Sequence, residues 1–166
     1  IPADLSTEAG CIGLAEELQK REGKLNILVN NAGVTWGASF DQYPGEAWDK
    51  IQNLNVKSAF MMTQKCAAML QEAGTADDPS RVINITSVAG QTYSSMQAYA
   101  YGPSKAALNH LTKILAAELA ERHITVNAIA PGVFPSKMTS FIMKHEAVVK
   151  QQADQVPLKR LGEPRD

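Results

Sequence analysis

Three short apolar runs, 25–29, 82–85 and 124–129, alternate with much longer stretches of helical period. Runs of this length, closed by turn residues such as Asn30-Asn31-Ala32-Gly33 and Pro131-Gly132, fit strands buried on both faces. The stretch 45–73 repeats Ala47, Ile51, Leu54, Ser58, Met62, Cys66 and Met69 at intervals of three or four. The stretch from about 98 to 122 carries Leu108, Leu111, Leu115 and Leu119 in the same way, with Pro103 tolerated in its first turn. Ser6-Thr7-Glu8 opens a further helix that runs to about Arg21 and ends near Gly23. A Gly- and Ser-containing loop covers 87–97, a loop and short helix cover 134–154, and the tail 157–166 is polar. Strands alternating with crossover helices predict a doubly wound parallel sheet in a three-layer α/β/α sandwich. In such sheets ligands bind beyond the carboxyl ends of the strands.

Composition narrows the function classes. Sixteen Lys and Arg against seventeen Asp and Glu leave a net charge of −1, so neither nucleic acid nor anionic lipid is an expected partner. With 45% apolar and 20% charged residues the chain is of globular type. No apolar run reaches the roughly 20 residues of a membrane helix, and the first residues lack the pattern of a signal peptide. Cys11 and Cys66 make no disulfide framework or zinc spacing, which predicts a reducing, cytoplasmic setting. His110, His123 and His145 share no ligand spacing, so no metal is expected.

The chemistry-bearing residues lie where the strands end. Tyr101 and Lys105 stand four apart at the start of a helix, hence on one face and one turn apart. A neighbouring cation favours phenolate and fits the tyrosine for acid–base work, although such pairs also arise by chance. Ser87 ends the second strand, fourteen residues before Tyr101, and is either a carbonyl-polarising hydroxyl or an ordinary strand-end serine. Asn55 is a modest misfit inside a helix; its backbone carbonyl holds a water beside Lys105, or the residue merely bends the helix. Asn30-Asn31-Ala32-Gly33 and Pro131-Gly132 let a flat ligand approach the backbone, or are plain turns.

Taken together, Asn30-Asn31-Ala32-Gly33, Asn55, Ser87, Tyr101-x-x-x-Lys105, Asn109 and Pro131-Gly132 follow the order and spacing of the short-chain dehydrogenase/reductase family, which the whole chain resembles. Tyr99 competes with Tyr101 by type but not by spacing, because Pro103 stands where its lysine would be. Stretches such as Trp36-Gly37-Ala38, Arg81-Val82-Ile83-Asn84-Ile85, Gln97–Lys105 and Phe134-Pro135-Ser136 look most like its branch of 3-oxoacyl-acyl-carrier-protein reductases associated with rhamnolipid biosynthesis. The resemblance implies a Rossmann-type fold and reduction of a 3-oxoacyl thioester with NADP, NAD being the alternative. By resemblance the catalytic set is Asn55, Ser87, Tyr101 and Lys105. The cofactor set is Asp4, Leu5, Asn31, Ala32, Gly33, Tyr101, Lys105, Pro131, Gly132 and Ser136, the last replacing a frequent threonine. Asp4 and Leu5 match the segment after the family's third strand, which borders the adenine. Trp36, Met96, Phe134, Phe141 and Ile142 flank the site in sequence and either line an acyl pocket or pack the core.

The family also implies a homodimer or homotetramer formed through the helices 45–73 and 98–122. Its first two strands, with their glycine-rich loop, and its last strand have no counterpart here, so residues 1–166 read as a partial NAD(P)-binding domain beginning at the third strand. The reading that competes with the reductase is therefore a truncated or inactive binding or scaffold protein. An epimerase or dehydratase of the extended branch fits the motif spacing less well.

Overall fold

The computed structural model describes residues 1–93 and 96–166. They form two compact units, Ile1–Ile129 and Ala130–Asp166. The expected loop 87–97 is seen except for 94–95, which lie outside the described residues.

The first unit opens on α1 (Glu8–Arg21), where the Thr7 hydroxyl accepts the Gly10 N–H as N-cap, the device that Ser6-Thr7-Glu8 predicts. Residues 1–4, expected to be the end of a strand, join no ladder among the described residues. The Asp4 carboxylate instead takes the N–H and hydroxyl of Ser6 and shapes the turn into α1. Strand β1 (Ile27–Asn30) begins two residues later than the apolar run, because the Leu25 N–H is given to the Met69 carbonyl and not to a strand. The long stretch 45–73 is helical throughout but in three parts. These are α2 (Gly45–Gln52), a π-helical turn at Asn53–Lys57, and α3 (Ser58–Ala73). Strand β2 (Ser80–Ile85), α4 (Tyr101–Leu119) and β3 (Ile124–Ile129) complete the unit, with Pro103 in the first turn of α4 as expected.

The three strands are parallel in the order β1-β2-β3. Their register aligns Leu28, Val82 and Val126 in one row and Asn30, Asn84 and Ala128 in the row above it. Because side chains alternate along a strand, these rows face the same way. That face is packed on α1, α3 and α4 through Cys11, Ala15, Met62, Cys66, Leu70, Leu115 and Leu119. The parallel sheet with flanking helices is thus the predicted architecture. The expectation of strands buried on both faces holds for one face only. Ile27, Val29 and Ile129 point the other way and are about half exposed, at 51%, 52% and 52%.

The second unit contains α5 (Ser140–Met143) and α6 (Glu146–Gln155), two helices where one short helix is expected. Its tail folds back within the unit. The Gly162 N–H reaches the Val133 carbonyl at 3.0 Å, and the Arg160 guanidinium closes a two-pronged pair on Asp166.

Candidate active site

Tyr101 is the first residue of α4 and Lys105 follows one turn on. Lys105 is 4% exposed, and its ammonium lies 5.7 Å from the centre of the Tyr101 ring. It donates to the Ile85 carbonyl, the last of β2, at 2.8 Å. An ion held by a neutral carbonyl inside the protein is poorly compensated, so burial pushes the ammonium down to about 8. The sequence pair is therefore a spatial pair, and the strand end supplies its anchor.

Ser87 lies two residues beyond β2 and is buried; its hydroxyl accepts the Ala89 N–H at 3.1 Å and starts the 3-10 turn Val88–Gly90. Two glycines seat that turn on α4. A Cβ on Gly90 would lie 2.6 Å from the backbone of Ala106 and Lys105, and one on Gly102 would lie 3.0 Å from the Ala89 carbonyl. Turn and helix touch backbone to backbone, so the Ser87 strand end is brought against the first turns of α4.

Asn55 occupies the π-helical turn and is 1% exposed. A π turn breaks the i→i+4 ladder and often marks a functional position. The Asn55 amide accepts the Val34 N–H at 2.8 Å and donates to the Val34 carbonyl at 3.0 Å and to the Ser104 hydroxyl at 3.0 Å. Gly33, just before Val34, leaves little spare room: a Cβ there would stand 3.4 Å from the Asn55 amide oxygen and 3.5 Å from the Lys105 nitrogen. Gly33, Asn55 and Lys105 thus converge on one point beyond the ends of β1 and β2.

Among the remaining candidates, Leu5, Asn31 and Ala32 share a cavity of about 100 Å³ with Leu28, Val29 and Met62. Asp4 is exposed at the turn before α1, and the Ser6 hydroxyl and N–H hold its carboxyl below the usual range. Pro131, Gly132 and Ser136 belong to the second unit, where Ser136 exchanges hydrogen bonds with Thr139 just ahead of α5. Of the proposed acyl-pocket residues, Trp36 and Phe141 are each 52% exposed, whereas Ile142 is 1% exposed and is a packing residue. Tyr99 stacks edge-on with Phe40 and Tyr43.

The sequence reading missed three parts of the arrangement. Ser104 was only a letter inside the Tyr101–Lys105 motif. Gly90 and Gly102 carried a signal, since small residues near a helix start permit close approach. Asn84 sat unremarked in an apolar run. It is fully buried and links the Asn30 amide at 2.9 Å to the Thr112 hydroxyl at 2.9 Å, tying β1, β2 and α4 beneath the site.

The whole chain, residues 1–166, matches the family model described as Enoyl-(Acyl carrier protein) reductase. It is 48% identical over its full length to the rhamnolipids biosynthesis 3-oxoacyl-[acyl-carrier-protein] reductase of Pseudomonas aeruginosa, covering 65% of that protein. The structure of the Pseudomonas aeruginosa RhlG/NADP active-site complex superposes with a TM-score of 0.95 at 48% identity, over 99% of this chain and 64% of that one. A gluconate 5-dehydrogenase from Burkholderia cenocepacia, in complex with NADP and tartrate, gives a TM-score of 0.87 at 27% identity, over 96% of this chain and 60% of that one. The chain therefore spans just under two thirds of the length of these relatives. A parallel sheet with a half-buried tyrosine and a buried lysine at the start of the following helix defines a Rossmann-type α/β protein. The chain belongs to the short-chain dehydrogenase/reductase family.

Proposed function

We propose that the complete protein is an NADP-dependent carbonyl reductase that converts a 3-oxoacyl thioester to its 3-hydroxy form. The observation that carries the reading is the Tyr101–Lys105 pair at the start of α4, anchored on the end of β2, with Gly33 and Asn55 near the Lys105 nitrogen and the turn after Ser87 packed on α4. The thioester substrate is supported by the 48% identical relative and not by geometry.

In this reading the Tyr101 hydroxyl gives its proton to the substrate oxygen as charge develops there. The Lys105 ammonium, beside the Tyr101 ring, would hold the cofactor ribose. The Ser87 hydroxyl accepts the Ala89 N–H through a lone pair and keeps its own proton for the substrate carbonyl, which it polarises. The Asn55 backbone carbonyl, in a turn whose ladder is broken, holds the water that resupplies the proton. NADP, when bound, supplies or takes up the hydride. The residues present suit it: Lys105 is a buried cation with no carboxylate partner among the described residues, and Leu5, Asn31 and Ala32 line an apolar-walled cavity. Asp4, Gly33, Pro131, Gly132 and Ser136 complete the proposed cofactor set, and residues 1–166 remain in this reading a partial domain for it.

No described helix is long and apolar enough to cross a membrane. Buried, unpaired Cys11 and Cys66 favour a cytoplasmic setting. Exposed Phe60 on α3 and Ile114 on α4 favour a homodimer or homotetramer through these helices. The test is oxidation of NADPH by the complete protein with a 3-oxoacyl thioester. Turnover with that substrate, and none with a sugar acid, is expected; no NADPH oxidation with any 3-oxoacyl thioester overturns the proposal.

A further inference from the structure

We propose that Ser104 is a positioning residue, whose hydroxyl couples the Asn55 amide to the helical turn that places the Tyr101 phenol. The proposal rests on the reading of Tyr101 as proton donor. Ser104 is 0% exposed. Its hydroxyl donates to the Tyr101 carbonyl at 2.7 Å and accepts from the Asn55 amide at 3.0 Å. The same amide grips Val34 through both its N–H and its carbonyl. An unbroken path of side-chain hydrogen bonds thus runs from the loop behind β1 to the first residue of α4.

The direction of the bonds is fixed by the inventory of protons. A serine hydroxyl has one proton, and here it goes to the Tyr101 carbonyl. Its oxygen is left to receive one of the two amide protons of Asn55, whose other proton goes to Val34. A serine that bonds the carbonyl three residues back in its own helix is commonplace. The second bond, to a different element and to the buried asparagine of the π turn, is what makes Ser104 a coupler. Without the hydroxyl, a buried amide proton has no partner, and the turn bearing Tyr101 loses its fixed link to the loop beyond β1. Proton transfer is sensitive to displacements well under 1 Å, so turnover registers the loss more than binding does.

The experiment uses the complete protein with NADPH and a 3-oxoacyl thioester, with kcat expressed per folded site counted by NADPH titration. Ser104→Ala is expected to lower kcat at least tenfold, to leave both KM values within threefold, and to displace the kcat–pH profile. In an Asn55→Ala background the same change is expected to cost less than twofold more, because the path is already cut. A merely structural serine would lower the melting temperature while leaving kcat per folded site and the pH profile unchanged, and that result overturns the proposal, as does full additivity with Asn55→Ala. Should Ser104→Ala yield no folded protein, Ser104→Cys, with similar volume and a weaker donor, is expected to lose three- to tenfold, and wild-type kcat overturns the proposal. Tyr101→Phe runs alongside. If it keeps wild-type turnover, the proton-donor reading falls and the role of Ser104 with it. If it is inactive while Ser104→Ala is fully active, only the role of Ser104 falls.

Discussion

Lys105 faces Tyr101 from inside the protein, its ammonium 5.7 Å from the ring centre and anchored on the Ile85 carbonyl. That placement has a thermodynamic signature. Its folded-state value of about 8 lies below the ordinary 10.5, so between these values the unfolded chain binds more protons than the folded one. Stability therefore rises with pH through this window, and the full penalty of the buried charge is felt below pH 8. Lys105→Met in the cofactor-free protein is expected to gain up to about 3 kcal/mol at pH 7, less the cost of the orphaned Ile85 carbonyl. The gain should shrink towards pH 10. Urea titrations at pH 7 and pH 10 check it; an equal effect at both values would show that the ammonium is not desolvated.

The two glycines between Ser87 and α4 predict a local steric response. Gly90→Ala places a Cβ 2.6 Å from the backbone of Ala106 and Lys105, where no flexible side-chain end can give way. Destabilisation of about 2 kcal/mol is expected, with a fall in turnover as the Ser87 strand end moves off the helix. Gly13→Ala, on α1 with open space around the new methyl, should instead gain about 0.5–1 kcal/mol. Thermal melts and turnover of the two variants, measured together, separate the steric effect from helix propensity.

The Asn30–Asn84–Thr112 network predicts a third response. Asn84→Ala removes one acceptor of the Asn30 amide and the donor to Thr112, and leaves a hole where nothing is exposed. A loss of about 2–3 kcal/mol in urea unfolding is expected. Retention of wild-type stability would show that the network relaxes freely.

Much of this was legible in the sequence because the strong signals are periodic. The apolar runs gave all three strands, and the cap at Thr7 gave the start of α1. The Tyr101–Lys105 spacing survives in space because a helix turn fixes it locally. The π turn at Asn53–Lys57 was not legible, since one extra residue in a turn leaves the apolar repeat almost unchanged. The open sheet face was not legible either. A continuous run such as Ile27-Leu28-Val29 reads as doubly buried whatever covers it, and only the register shows which alternate residues meet the helices. Ser104 and Asn84 escaped because their partners lie 28 to 54 residues away, and pairing at that range has no sequence period.

The central claim, that Tyr101 gives the proton, is tested most directly by single-turnover hydride transfer in the complete protein carrying Tyr101→Phe. The substitution keeps the ring beside Lys105 and removes only the hydroxyl. NADPH should bind within threefold of wild type, while the transfer rate falls by about a thousandfold or more, equivalent to roughly 4 kcal/mol of transition-state stabilisation. A rate within tenfold of wild type would contradict the account.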